Sequence, residues 1–259
     1  MSERSQILDR GPVAAVLFDY GLTLVEFERP DAAIDAAQVE ITRCIAEAGH
    51  AAPSPDTLRA EVHDRVEAEV RDHEGSGALE EIDIVDVERR AFAALGLHLD
   101  DDLRDRCSRI IQEAWFHGVR AYPEVAEVLS ALRAAGLRLG ICSNAAYRPA
   151  SMRAQVEHLG IGDLIHAAVF SSEVGWRKPS PRIFSAALAA LGATATSTVF
   201  VGDRRREDVG GAHGAGMRAV LVERRPQQAR EVGSAEWPDA VVASLRELPA
   251  LLLDARVAP

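Results

Sequence analysis

The stretch "PEVAEVLSALRAAGLRLGICSN", Pro123 to Asn144, changes its apolar period once, and that change sets the architecture. Val125, Val128, Leu129 and Leu132 recur at helical spacing, Gly136 supplies a stop, and "LRLGICS" continues as an apolar strand. The unit then repeats. A helix from Pro149 to Leu159 leads into "HAAVFS", one from Pro181 to Leu191 into "TVFVGD", and one from Glu207 to Ala215 into "RAVLVE". "DAVVASLRELPALL" adds a last short strand and helix, and upstream "VAAVLFD", Val13 to Asp19, reads as a strand buried on both faces. Strands alternating with helices in this way predict a Rossmann-like parallel sheet, with ligands beyond the carboxyl ends of its strands.

From Ile34 to about Phe116 the pattern is helical. Ile34, Ala37, Ile41 and Ile45 keep one face; Leu58, Val62, Val66 and Val70 keep another after a Ser54-Pro55 start. Further helices are expected around Val85 to Leu95 and Leu103 to Phe116, with "HEGSGA", His73 to Ala78, as a loop and no convincing strand. The expected organisation is therefore an α/β core of residues 1–24 and 117–259 with an all-α cap, 25–116, inserted into it.

Composition narrows the function. A hydrophobic content of 47% can fill a sizeable core, and a net charge of -11 argues against general affinity for nucleic acid or an anionic membrane. No apolar run is long enough for a signal peptide or a membrane span. Cys44, Cys107 and Cys142 are odd in number and widely spaced, as expected of reduced core residues in a cytoplasmic protein.

Four loops at the predicted strand ends carry the chemistry. The first strand ends in Asp19, the second in Ser143 and Asn144, the third leads to Lys178, and the fourth ends in Asp203 with Asp208 five residues on. Lys178 is the one lysine among 29 basic side chains, and Asn144 the one asparagine. Buried carboxylates at two strand ends need a counter-charge. Mg²⁺ held by carboxylates, a main-chain carbonyl and water, with a phosphoryl group completing the shell, would supply it.

These segments resemble a family. "FDYGLTL", "ICSN", "RKPSPRIF" and "VGDRRREDVGGAHGAGM" are similar, in order and spacing, to the four motifs of haloacid dehalogenase superfamily hydrolases with a helical cap after the first motif. The resemblance implies a Mg²⁺-dependent phosphatase acting on a small phosphorylated metabolite through an aspartyl phosphate. It makes Asp19 the nucleophile, Ser143, Asn144 and Lys178 the groups around the phosphoryl oxygens, and Asp19, the carbonyl of Gly21, Asp203 and Asp208 the metal ligands. A compact ammonium fits between a carboxylate and a phosphoryl oxygen where a planar guanidinium is too large, which accounts for a lysine at 178.

One position departs from the pattern. Phosphatases of the superfamily usually carry an acid/base aspartate two residues after the nucleophile, where this chain has Gly21. Either another group, from the cap or from solvent, replaces it, or the substrate has a leaving group that scarcely needs a proton. Two further readings stay open: a non-catalytic relative that binds a phosphorylated ligand or a protein, and a 2-haloacid dehalogenase, against which the metal-site pattern of Asp203 and Asp208 argues. Arg148, Arg177, Arg204, Arg205 and Arg206 fall on the predicted site edge, as an anion-attracting rim or as ion-paired surface. Trp176 either covers the substrate or packs on its neighbours; Tyr20 is expected to pack, and His63 and His73 to lie on the cap surface.

Overall fold

The computed structural model describes residues 11–224, 233 and 236–253. The terminal residues 1–10 and 254–259 of the expected core lie outside that range.

Strand β1 (Ala15–Phe18) is followed by a turn and a short strand, β2 (Val25–Phe27). The chain then becomes helical: α1 (Asp31–Glu47), α2 (Pro55–Leu58), a π-helical turn Arg59–His63, α3 (Asp64–Gly75), α4 (Ile84–Ala94) and α5 (Asp101–Ala114). Side chains at the helix starts take up main-chain N–H groups that would otherwise lack partners: Ser54 accepts from Thr57, Asp83 from Val85 and Asp86, and Asp100 from Leu103. The apolar faces read from the sequence close on one another, with Ile41, Ile45, Leu58, Val62, Val66, Val70, Val87, Phe92 and Leu103 forming a core separate from that of the sheet.

Strand β3 (Val119–Ala121) returns antiparallel to β2, so a two-stranded neck joins the helical segment to the sheet domain. Strand β2 falls within residues 25–116, expected to be all-α, though neither strand lies in the stretch from Ile34 to Phe116 read as helical. Three residues per strand are too few to show alternation. The alternating half follows as α6 (Val125–Ala134), β4 (Arg138–Ser143), α7 (Pro149–His158), β5 (Ala167–Phe170), α8 (Ser171–Val174) and α9 (Pro181–Leu191). It ends with β6 (Thr198–Gly202), α10 (Gly211–Gly214), β7 (Arg218–Val222), β8 (Ala240–Val242) and α11 (Leu248–Leu252). Two boundaries differ from the sequence reading: α3 runs through His73 to Gly75, and the helix expected from Glu207 is a π-helical turn, Arg205–Gly210, before α10.

The sheet is parallel throughout, in the order β5-β4-β1-β6-β7-β8. Successive residues point to opposite faces. Val16 and Phe18 therefore join Leu139, Ile141, Val199 and Val201 in one cluster under α6, α7 and α11, while Ala15 and Leu17 join Cys142, Phe200 and Leu221 in another under α9. The continuous apolar runs reflect burial on both faces. All three cysteines are buried and free. No helix among the described residues is long and apolar enough to cross a membrane.

Candidate active site

The order of the sheet places the ends of β4, β1 and β6 side by side, and the polar loops converge there. Asp19 follows β1, with its main-chain N–H donating to Val201 O at 2.9 Å. Ser143, the last residue of β4, donates its hydroxyl to Asp19 Oδ1 at 2.9 Å. Lys178 Nζ donates to the same oxygen at 2.6 Å and to Asp208 Oδ1 at 2.6 Å. Lys178 is 4% exposed and Asp208 1%. A buried ammonium thus joins two buried carboxylates.

Burial alone would lower the lysine's pKa, but the charges of Asp19 and Asp208 outweigh it and hold Nζ protonated above its ordinary range. The Asp203 carboxyl also shifts upward. Burial, then the charges of Asp19 and Asp208, raise it to about 7. One oxygen from each of Asp19, Asp203 and Asp208 lies within 4.8 Å of the others. Three carboxylates against two cations, the Lys178 ammonium and the nearby Arg204 guanidinium, still leave negative charge in excess, and a hard all-oxygen donor set suits Mg²⁺, so the residues present fit such an ion.

Main-chain geometry fixes these groups. Asn144 Oδ1 accepts from Lys178 N at 2.7 Å while its Nδ2 donates to Lys178 O at 3.2 Å, so the side-chain amide is occupied in holding the lysine's backbone. Asp208 Oδ2 accepts from Arg204 N at 2.8 Å, closing the loop after β6. A Cβ at Gly202 would lie 2.3 Å from Asp208 Oδ2, so a side chain there would displace the carboxylate.

Above these groups opens a cavity of about 360 Å³, between the strand ends and the helical segment. Its polar wall includes Arg177, Arg204, Glu74, Glu207 and Gln112. Its apolar wall comprises Leu22, Phe27, Trp115, Phe116, Val119 and Met152, gathered from the first turn, the neck, the end of α5 and α7. The sequence reading missed this wall. Phe27 lies in "VEFERP", where nothing marks a neighbour of Asp19, yet a Cβ on Gly21 would lie 2.9 Å from its Cε2 atom. Leu22, next to Gly21, adopts a left-handed backbone, φ 61°, which L-residues rarely take.

Most of the suspected basic rim is neutralised. Arg177 is buried and bonds Glu81 at 2.9 Å and Glu74 at 3.1 Å, both from the helical segment. Arg148 reaches Glu88 at 2.8 Å and Asp105 at 2.7 Å, Arg205 lies 3.4 Å from Glu223, and Arg206 lies 4.0 Å from Glu207. The Arg177 and Arg148 pairs, with the Tyr147 hydroxyl donating to Glu67 at 3.0 Å, bind the helical segment to the sheet domain. Trp176 packs under the Arg182 guanidinium, 4.0 Å from its ring centroid. Tyr20 is buried and donates to Gln155 Oε1 at 3.0 Å. His63 corrects the surface expectation: it is 6% exposed, inside the helical core beside Trp115, and burial pushes its pKa down to about 4. His73 is partly buried and contacts Glu80 O at 2.8 Å.

A family model described as haloacid dehalogenase-like hydrolase matches residues 13–216. The chain is 36% identical over 146 residues to a phosphoserine phosphatase of Thermus thermophilus, covering 54% of this chain and 56% of that one. It is 38% identical over 141 residues to a phosphoglycolate phosphatase of Rhodospirillum rubrum, covering 51% of this chain and 57% of the other. The matched stretch thus spans little more than half the length of either relative. Among solved structures, a 2-haloacid dehalogenase from Pseudomonas syringae pv. tomato superposes with a TM-score of 0.63 at 27% identity, over 95% of this chain and 100% of that one.

Proposed function

The chain belongs to the haloacid dehalogenase-like hydrolase family, and on that premise we propose that it hydrolyses a small phosphorylated metabolite in a Mg²⁺-dependent reaction through an aspartyl phosphate. The observation that carries the reading is the shared grip of Ser143 and Lys178 on one oxygen of Asp19, beside Asp203 and Asp208. With Oδ1 held twice, Oδ2 is the oxygen that attacks phosphorus as the bond to the leaving oxygen breaks. Lys178 offsets charge between the carboxylate and the incoming phosphoryl oxygens, and the Ser143 hydroxyl orients those oxygens. Asn144 acts through Lys178, whose main chain it fixes. Water then attacks the aspartyl phosphate and restores the carboxylate. When bound by Asp19, Asp203, Asp208 and the carbonyl of Gly21, Mg²⁺ supplies positive charge against the phosphoryl group.

In this reading residues 25–116 form the cap that selects the substrate, and the buried free thiols suit a reducing, cytoplasmic setting. The test is phosphate release from sugar, nucleotide, acyl and small organic phosphates, with Mg²⁺ and with chelator, beside Asp19→Asn. Metal-dependent release that disappears in the variant is expected; no release from any compound sinks the reading.

A second reading is favoured by Gly21 and the apolar wall. Attack of Asp19 on the carbon of a 2-haloacid needs no leaving-group acid. Halide release from 2-chloropropionate that persists in chelator, without phosphate release, would select it.

A further inference from the structure

Resting on the phosphatase reading, we propose that the substrate is an aryl or acyl phosphate: a phosphoryl group on a leaving oxygen that departs as a stable phenolate or carboxylate, attached to an apolar body.

Two independent features converge on this class. The first concerns the proton. At residue 21 there is no side chain, and the space where one would begin is taken by the Phe27 ring, 2.9 Å from the Cβ position. The neighbouring side chains, Leu22 and Phe27, carry no transferable proton. The Tyr20 hydroxyl already donates to Gln155 at 3.0 Å; the Tyr147 phenol is raised by burial and by Glu67, to which it donates. An alkoxide leaving from phosphorus on the Leu22 and Phe27 side would meet no donor from either side chain, the carboxyls of Glu74 and Glu207 lying on the polar wall, whereas a phenolate or carboxylate needs none. In the first step the Asp19 Oδ2–P bond forms, the P–O bond breaks and its electron pair leaves on the departing oxygen. In the second, water attacks phosphorus, the Asp19–P bond breaks, and the water proton passes to solvent.

The second feature concerns shape and solvation. Leu22 and Phe27 remain 37% and 46% exposed, and both face the cavity together with Trp115, Phe116, Val119 and Met152. Large apolar side chains left open around a concave site mark an apolar ligand. A sugar body would bury its hydroxyls against this wall without partners, which costs about 1–3 kcal/mol for each one left unpaired. A ring or branched chain would instead remove the wall from water.

The experiment measures kcat/KM of the full-length protein with Mg²⁺ on substituted phenyl phosphates, benzoyl phosphate, size-matched alkyl phosphates such as cyclohexylmethyl phosphate, and hexose phosphates. General acid catalysis is typically worth about 10²–10⁴ in rate, so aryl and acyl compounds should exceed the alkyl compounds by at least about 10²-fold. Rates within the phenyl series should fall steeply as the phenol becomes less acidic. Phe27→Ala should raise KM for the aryl compounds, and Gly21→Asp with Phe27→Ala should narrow the aryl-to-alkyl gap; the series on the unmodified protein stands whether or not that double variant folds. Phosphate release with equal efficiency across leaving groups, a preference for hexose phosphates, or alkyl turnover that depends on Glu74 or Glu207 in the Gln variants would overturn the inference while leaving the phosphatase intact. No release from any compound overturns both.

Discussion

Replacing Lys178 by methionine removes the charge at the centre of the site while keeping most of the side chain's volume. The ammonium lies 2.6 Å from Asp19 Oδ1 and from Asp208 Oδ1. With an effective dielectric of about 20, each contact is worth roughly 6 kcal/mol of Coulomb attraction before desolvation, and desolvating the ammonium offsets several kcal/mol of it. What the variant loses is set by what it leaves behind: two buried carboxylates facing each other without a counter-charge. Breaking a buried pair in this way costs about 3–5 kcal/mol. For a chain of this size that lowers the thermal midpoint by about 2–4 °C per kcal/mol. The assay is urea and thermal unfolding in chelator of the unmodified protein, Lys178→Met and Lys178→Met with Asp208→Asn. Lys178→Met should be the least stable, and adding Asp208→Asn should recover part of the loss. Lys178→Met within about 1 kcal/mol of the unmodified protein would refute the account of a charge-dependent site, since breaking a buried pair typically costs about 3–5 kcal/mol.

Mg²⁺ at about 100 times its dissociation constant should stabilise the protein by about 2.7 kcal/mol, read as a rise in thermal midpoint that chelator reverses and Asp203→Asn removes. His63 gives a pH dependence of definite sign. Its folded pKa, about 4, lies below the ordinary 6.5, so its contribution is fully present above pH 6.5 and is lost as pH falls towards 4. The loss is roughly 3 kcal/mol by pH 4, and His63→Gln should flatten that part of a denaturation profile. Arg148→Met leaves Glu88, buried in the helical segment, without its guanidinium; a cost of about 3 kcal/mol in urea unfolding is expected, partly recovered by adding Glu88→Gln.

The sheet and the polar centre were legible because both follow from short-range patterns. Apolar runs such as "VAAVLFD" report burial on both faces, and the chemistry lies at their carboxyl ends, so Asp19, Ser143, Lys178 and Asp203 could be located by counting along the chain. What escaped depends on which residues meet across the fold. The neck is three residues per strand, too short for alternation to show. The approach of Phe27 to Gly21 joins residues six apart through a turn in which Leu22 takes a left-handed backbone, and propensity does not anticipate that conformation for leucine. His63 sits beside Asp64 in a charged stretch and looks exposed; only the tertiary packing of the helices buries it. Asn144 was singled out by rarity, but its hydrogen bonds to the Lys178 main chain depend on a loop closure that no local pattern encodes.

Gly202 has no functional group, yet its Cα faces the Asp208 carboxylate so closely that even alanine would displace it. In a saturation library scored for turnover, position 202 should tolerate substitution as poorly as the nucleophile. Ranking positions by intolerance would place a backbone atom among the chemical groups of the site. The two losses differ in kind: Asp19→Asn removes the reacting oxygen together with the charge of one partner of Lys178, whereas Gly202→Ala keeps every charge and moves the Asp208 carboxylate, the other partner.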